Sequence, residues 1–243
     1  MEVAVRASAR DVRVGVVPSL VRVEGRKLIL HPVAIAGVAL AVLLGALAPF
    51  FPTVWVFAGS IVVAAQLTTS RDVRHGTDEQ YASLPAPAAS LTTAHLLSIT
   101  WAVGLGALIA AAEIAYSRGI GKGLLGGGEH PFQNMVFIAR FGITIVALFG
   151  TTGVLLGKWL PSAAVGPVAL IVLFVGAGQP WSPWYLWPDT PSAGWHQVAA
   201  WGLVLVTGGL ALLRDARRPG PFLAVALGLI VLAVGETAFV ITT

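Results

Sequence analysis

The chain has no cysteine, which excludes a disulfide framework, a thiolate zinc site and a cysteine nucleophile. Charge is scarce too: 11% of the 243 residues are Asp, Glu, Lys or Arg, against roughly 25% in an average soluble domain. With 56% hydrophobic residues, a soluble domain of this length could not hide its apolar surface in one core, because the outside needs polar cover. A bilayer removes that difficulty by acting as solvent for the apolar side chains. The 28 glycines agree, since Gly is commoner in membrane helices than in soluble ones. Other signals are missing. Residues 1–31 contain no long apolar run followed by a small-residue cleavage site, so they do not read as a signal peptide, and the first membrane helix is expected to act as the targeting signal. A nucleotide-binding loop of the form G-x-x-x-x-G-K-[ST] is absent; the nearest text, Gly121-Lys122-Gly123, lacks the hydroxyl and the leading glycine. There is no H-E-x-x-H helix and no G-x-S-x-G elbow. The histidines, His31, His75, His95, His130 and His196, are scattered along the chain and suggest no metal cluster. The sequence therefore predicts no metal, cofactor or catalytic residue, and no enzyme in this chain by itself.

A membrane span needs about 20 mostly apolar residues. The apolar stretches run over 32–48, 54–69, 91–116, 135–157, 163–178, 197–213 and 222–240. This predicts an all-α polytopic bundle of six to seven transmembrane helices, 32–243, after a segment 1–31. Ala48-Pro49-Phe50-Phe51-Pro52 would turn the chain between the first two spans, because Pro ends helices. Twelve of the fifteen basic residues fall on one side of this arrangement: Arg6, Arg10, Arg13, Arg22, Arg26, Lys27, Arg71, Arg74, Lys158, Arg214, Arg217 and Arg218. By the positive-inside rule that side is cytoplasmic, and so is the N-terminus. The net charge of +4 is explained by this topology, since it sits in short runs between apolar stretches. Nucleic acid is not expected as a partner. On the other side lie a glycine-rich loop, 117–134, and a Trp- and Pro-rich segment, 179–195, which reads either as a re-entrant segment in the outer leaflet or as an aromatic belt around a loop.

Two elements on the basic side stand out. Over Val17 to Leu30, Val17, Leu20, Val21 and Leu28 form one helical stripe with Arg22 and Arg26 opposite. Such a helix lies along the membrane surface. Glu24 falls on the apolar stripe, where a carboxylate against acyl chains is costly, so that face is expected to meet protein. His31-Pro32 then allows a sharp turn into the membrane. The second element is the loop 71–90. Thr77 and Gln80 match a capping box, Asp78 and Glu79 occupy the first turn, where the helix dipole favours them, and Pro85 closes the element. Between two spans, a short rigid helix would transmit a displacement that a floppy loop would absorb.

Three ionisable residues interrupt spans: Glu113, Arg140 and Glu236. Charges in the membrane are expensive unless paired or hydrated. Arg140 is expected to pair with Glu113, with Glu236 as the alternative, either as a clamp between helices or as the lining of a substrate path. Gln66, Thr100, Thr144 and Thr207 are polar exceptions in the spans. Gly153 and Gly157 have GxxxG spacing, which in a chain with so many glycines is weak as a packing signal.

Several short motifs in this order and topology make the chain resemble the permeases of type-2 ATP-binding-cassette (ABC) exporters, in the style of small actinobacterial members. They are Glu24-Gly25-Arg26-Lys27 with His31-Pro32, Arg74-His75-Gly76-Thr77-Asp78-Glu79 with Leu84-Pro85, Gly157-Lys158-Trp159-Leu160, Ser182-Pro183-Trp184, and Leu212-Leu213-Arg214-Asp215. The resemblance implies that the helix at Thr77 to Leu84 is a coupling helix docking into an ATPase, with Arg74, Gly76, Thr77, Asp78, Glu79 and Gln80 at the contact. It also implies that Val17 to Leu30 is the connecting helix, carrying Arg22, Glu24, Arg26 and Lys27. Two ATPase subunits holding ATP and Mg²⁺ would pair with two permease chains, identical or homologous, in a bacterial plasma membrane. The cargo would be hydrophobic or amphipathic: a lipid, a peptide or a drug-like metabolite. Members of the family usually have six spans, and this chain adds a seventh. The alternatives are a membrane scaffold or immunity protein that moves nothing, and an ion-driven secondary transporter, against which the sequence shows no inverted repeat.

Overall fold

The structure, a computed structural model, describes residues 2–47, 53–75, 89–120, 131–177, 193–215 and 219–242, with side chains for most of them. The described residues form eight helices: α1 (Glu2–Ile29), α2 (Pro32–Leu47), α3 (Thr53–Arg74), α4 (Ser90–Ile120), α5 (Pro131–Trp159), α6 (Val165–Ala177), α7 (Ala193–Leu213) and α8 (Pro219–Thr242). The chain is an all-α bundle of a multi-pass membrane protein. Five helices are long and apolar enough to cross a bilayer, within α3, α4, α5, α7 and α8.

Against the expected six to seven spans, the described residues hold five such helices, or six when the bent pair formed by the end of α1 and α2 is counted as one. In the stretch read as a span at 163–178 the described helix covers 13 residues, Val165–Ala177, and the residues that follow it lie outside the described ones. At 16 residues, α2 is short, and it qualifies only jointly with the end of α1, from which it departs at 56°. The corner is built by His31 and Pro32. Pro32 opens α2, where its missing N–H costs nothing, and the His31 ring Nδ1 accepts the orphan amide of Val33 at 3.3 Å. Helix α1 is longer than the expected Val17 to Leu30, starting at Glu2 and carrying Pro18 in its interior. The expected glycine-rich loop of 117–134 is shortened at both ends, because α4 continues to Ile120 and α5 begins at Pro131.

Helices α3 and α5 form the axis of the bundle. Of the apolar window of each, 78% is buried, against 28% for α4, 39% for α7 and 11% for α8. Phe57, Ile61, Val62, Phe141, Ile145, Val146 and Phe149 fill the space between them. The close approach rests on the two glycines at GxxxG spacing. A methyl group on Gly153 would stand 2.5 Å from the Val62 carbonyl, and one on Gly157 would stand 2.7 Å from Thr69 Cβ and 2.8 Å from the Gln66 carbonyl. The spacing dismissed in the sequence is thus the seam of the core.

Helix α8 sits at the rim, packed on α7 in antiparallel fashion. Here glycines seven apart meet backbone to backbone. A Cβ on Gly202 would lie 2.7 Å from the Gly228 carbonyl, and one on Gly235 would lie 2.7 Å from the Ala199 amide. The rest of α8 faces outward, with Leu223, Leu227, Ile230 and Val234 exposed, as suits a lipid-facing surface. Polar side chains within the spans bind helices together. Thr151 and Thr207 share a hydrogen bond of 2.8 Å, Gln197 donates to Thr144 at 3.2 Å, and the fully buried Gln66 donates to the Ser162 carbonyl at 2.8 Å. Thr100, on an exposed face, bonds its own helix at the Leu97 carbonyl.

Candidate functional site

Among the described residues, Lys27 and Lys158, two of the basic residues counted above, meet buried or part-buried acids. The Glu24-Gly25-Arg26-Lys27 tetrapeptide divides its labour residue by residue. Glu24 is fully buried. Gly25 lets the α1 backbone lie against Trp101 of α4, whose ring a Cβ would meet at 2.8 Å. Lys27 turns back one helical turn and donates to Glu24 Oε1 at 2.7 Å. Arg26, between them, is exposed. The reading of the Glu24 face as protein-directed thus has a physical partner: α1 packs on α4 and α3.

Within that contact, Glu24 meets two buried groups from other helices. His95 of α4 places Nε2 3.0 Å from Asp72 Oδ2 of α3 and 3.2 Å from Glu24 Oε2. All three side chains are largely withdrawn from solvent, Asp72 the least, at 11%. Two carboxylate oxygens converging on one ring nitrogen require that nitrogen to carry a proton. The neutral ring with Nε2–H meets that requirement; as an imidazolium the ring would add a second cation to the half-exposed Lys27 and balance the two carboxylates. Glu24 Oε2 and His95 Nδ1 nevertheless have no hydrogen-bond partner. A water-sized cavity of ≈ 10 Å³ adjoins them, lined also by Thr69 and Ser98. For Glu24, which lies outside the five long spans, burial raises the carboxyl pKa. The pull of His95 and Lys27 outweighs burial, and the net effect is a lowered value.

A second buried ion pair continues the network. Lys158, at the end of α5 and 1% exposed, bonds Asp215 Oδ2 at 2.9 Å, and Thr92 of α4 donates to the same oxygen. One polar belt therefore ties α1, α3, α4, α5 and the residues after α7. It holds the last turn of α3 at Asp72 and the first turns of α4 at Thr92 and His95. These are the two roots of the intervening segment 76–88.

The oxygen and nitrogen atoms of Glu24, Asp72 and His95 lie within 4.8 Å of one another, a donor set that could ligate a divalent cation. Such a cation would displace the His95 Nε2 proton and, with Lys27 still at Glu24, leave one excess positive charge buried. The ion-pair arrangement balances without it, so these residues fit a charge cluster better than a metal centre. No family model, curated protein or solved structure matches this chain.

The remaining expected site residues are distributed as follows. Arg22 is exposed on α1. Arg74 is exposed at the end of α3, donating to the Ser70 carbonyl at 3.3 Å. Gly76, Thr77, Asp78, Glu79 and Gln80, with the whole Thr77 to Leu84 element, lie outside the described residues, as do most of the Trp- and Pro-rich segment and the 48–52 turn. Glu113 accepts a hydrogen bond from Thr53 Oγ1 at 3.0 Å. The Arg140 side chain lies outside the described residues, so its expected pairing with Glu113 does too. Glu236 stands on α8 with Oε1 3.7 Å from His196 Nδ1 of α7, and the His196 ring lies against Phe239 at a centroid distance of 3.8 Å. Sequence reasoning missed His95, Asp72, Lys158 and Asp215 as a set. The one signal available was Glu24 itself, a carboxylate on an apolar stripe that demands a cationic partner elsewhere.

Proposed function

We propose that this chain is the transmembrane subunit of an ATP-driven exporter, of the type-2 ABC permease kind, moved by a separate ATPase. The observation that carries the reading is the belt of buried charges gripping both roots of the 76–88 segment and clamping α1 onto them. A displacement applied at that segment would be passed on to α1, α3, α4 and α5, because Glu24, Asp72 and His95 join the first three of them and Lys158 of α5 shares Asp215 with Thr92 of α4. That is the mechanical requirement of a coupling element. In this reading Thr77 to Leu84 docks into the ATPase, α1 serves as the connecting helix, and the basic end of the bundle faces the cytoplasm of a bacterial cell. Two ATPase copies, which supply ATP and Mg²⁺ binding, work with two permease chains. The apolar spans, whose polar groups are largely spent on hydrogen bonds within and between helices, suit a hydrophobic or amphipathic cargo.

The test is purification of the tagged full chain from its native host in mild detergent, with partners identified by mass spectrometry and ATP turnover measured. Co-purification of a stoichiometric ATPase whose turnover responds to this chain is the expected result. A chain that purifies alone and is indifferent to ATP would overturn the proposal.

A further inference from the structure

Beside the buried cluster, an open cleft of ≈ 770 Å³ lies between the end of α1, the α1–α2 corner and the last turns of α3. Arg26 and Lys27 enter it from α1 and Arg71 from α3, and His31 and His75 complete its polar rim. Asp72 is the one acid among the lining residues, and its Oδ2 is directed at His95. Lys27 is shared with Glu24, which leaves the two guanidinium groups as the dominant charges. The floor is apolar, with Val23, Leu30 and Leu67. The cleft opens where the end of α1 meets the last turns of α3, one of the helices long and apolar enough to cross a bilayer.

We infer that this cleft binds the phosphate of an anionic ligand, with Arg26 and Arg71 as its two clamps. Guanidinium forks match phosphate oxygens bidentately and hold their charge at every physiological pH. Two forks arriving from different helices fix a phosphate between them, as scattered surface cations do not. The apolar floor beside a cationic rim fits an anionic phospholipid, whose headgroup would take the arginines and whose first methylenes would cover Leu30 and Leu67. Basic residues at the edge of a membrane helix attract such lipids. A free phosphate-bearing solute shares the chemistry but makes no use of the floor. The inference stands independently of the exporter reading.

The full-length chain in phosphatidylcholine nanodiscs containing phosphatidylglycerol provides the test, with tightly held lipid counted by native mass spectrometry. Wild type and Arg22→Gln, which removes an exposed charge on α1 outside the cleft, should each retain one phosphatidylglycerol per chain. Arg26→Gln/Arg71→Gln should lose it, with at least a tenfold weaker affinity. If lipid retention is equal but inorganic phosphate raises the thermal midpoint of wild type in lipid-poor detergent and not that of the double variant, the ligand is a soluble phosphate. Equal behaviour in both arms overturns the site. Because a variant can fail to fold, wild-type chain is also labelled with photoactivatable phosphatidylglycerol. Adducts on 23–31 and 67–75 are expected, and adducts confined to other segments would overturn the inference.

Discussion

Replacing His95 by Gln is the most direct probe of the buried cluster. Glutamine partly fills the ring volume and keeps a donor, but it removes the cation on which Glu24 and Asp72 converge at 3.2 and 3.0 Å. Lys27 still neutralises Glu24 at 2.7 Å, so the variant is left with one unpaired carboxylate, that of Asp72, in a setting where its side chain is only 11% exposed. Removing one partner of a buried pair costs about 3–5 kcal/mol, a shift of roughly two to three and a half orders of magnitude in the unfolding equilibrium. The assay is the detergent-to-SDS unfolding transition of the purified chain, followed by circular dichroism. The decisive control is Asp72→Asn in the same chain. The double variant His95→Gln/Asp72→Asn removes the stranded charge and should recover most of the loss, a coupling that only a direct interaction produces. A single variant within about 1 kcal/mol of wild type, or a double variant no more stable than the single one, would refute the claim that these charges are paired and buried.

Other outcomes follow from the same geometry. Gly153→Ala should cost about 1–3 kcal/mol by forcing α3 and α5 apart, because the new methyl meets the Val62 carbonyl at 2.5 Å; Gly104→Ala, with open space around it, should cost nothing in the same SDS titration. The lowered pKa of Glu24 makes its contribution complete above the ordinary carboxylate range and lost as pH falls through its folded value. Wild type should therefore lose stability on acidification more steeply than Glu24→Gln, and parallel profiles would contradict this. In the reconstituted system, Glu79→Arg or Gly76→Pro should separate ATP turnover from transport while leaving the chain in the membrane; normal transport in both would remove the coupling role from the segment.

The helical bundle was legible in the sequence because it depends on local composition. Glu24 was legible as a misfit, since a charge on an apolar helical stripe has no local remedy. Its partners were not, because His95 comes from a helix far along the chain and resembles any other scattered histidine. Asp72 similarly passes for one more charge in the Arg71-Asp72-Val73-Arg74 run. Gly153 and Gly157 show a different limit: the spacing is visible, but only the facing backbone of Val62 and Gln66 distinguishes a seam from coincidence.

The charge balance of the cluster has a consequence for motion. Glu24 is paired with Lys27 on α1, and Asp72 of α3 is paired with His95 of α4. Each half is neutral by itself. Separating α1 from α3 and α4 would leave Glu24 with Lys27 and Asp72 with His95, at the cost of the Glu24–His95 contact and of the packing at Gly25 and Leu28. The joint between α1 and the bundle is therefore a latch: firm when closed, and able to open without stranding a charge in an apolar setting.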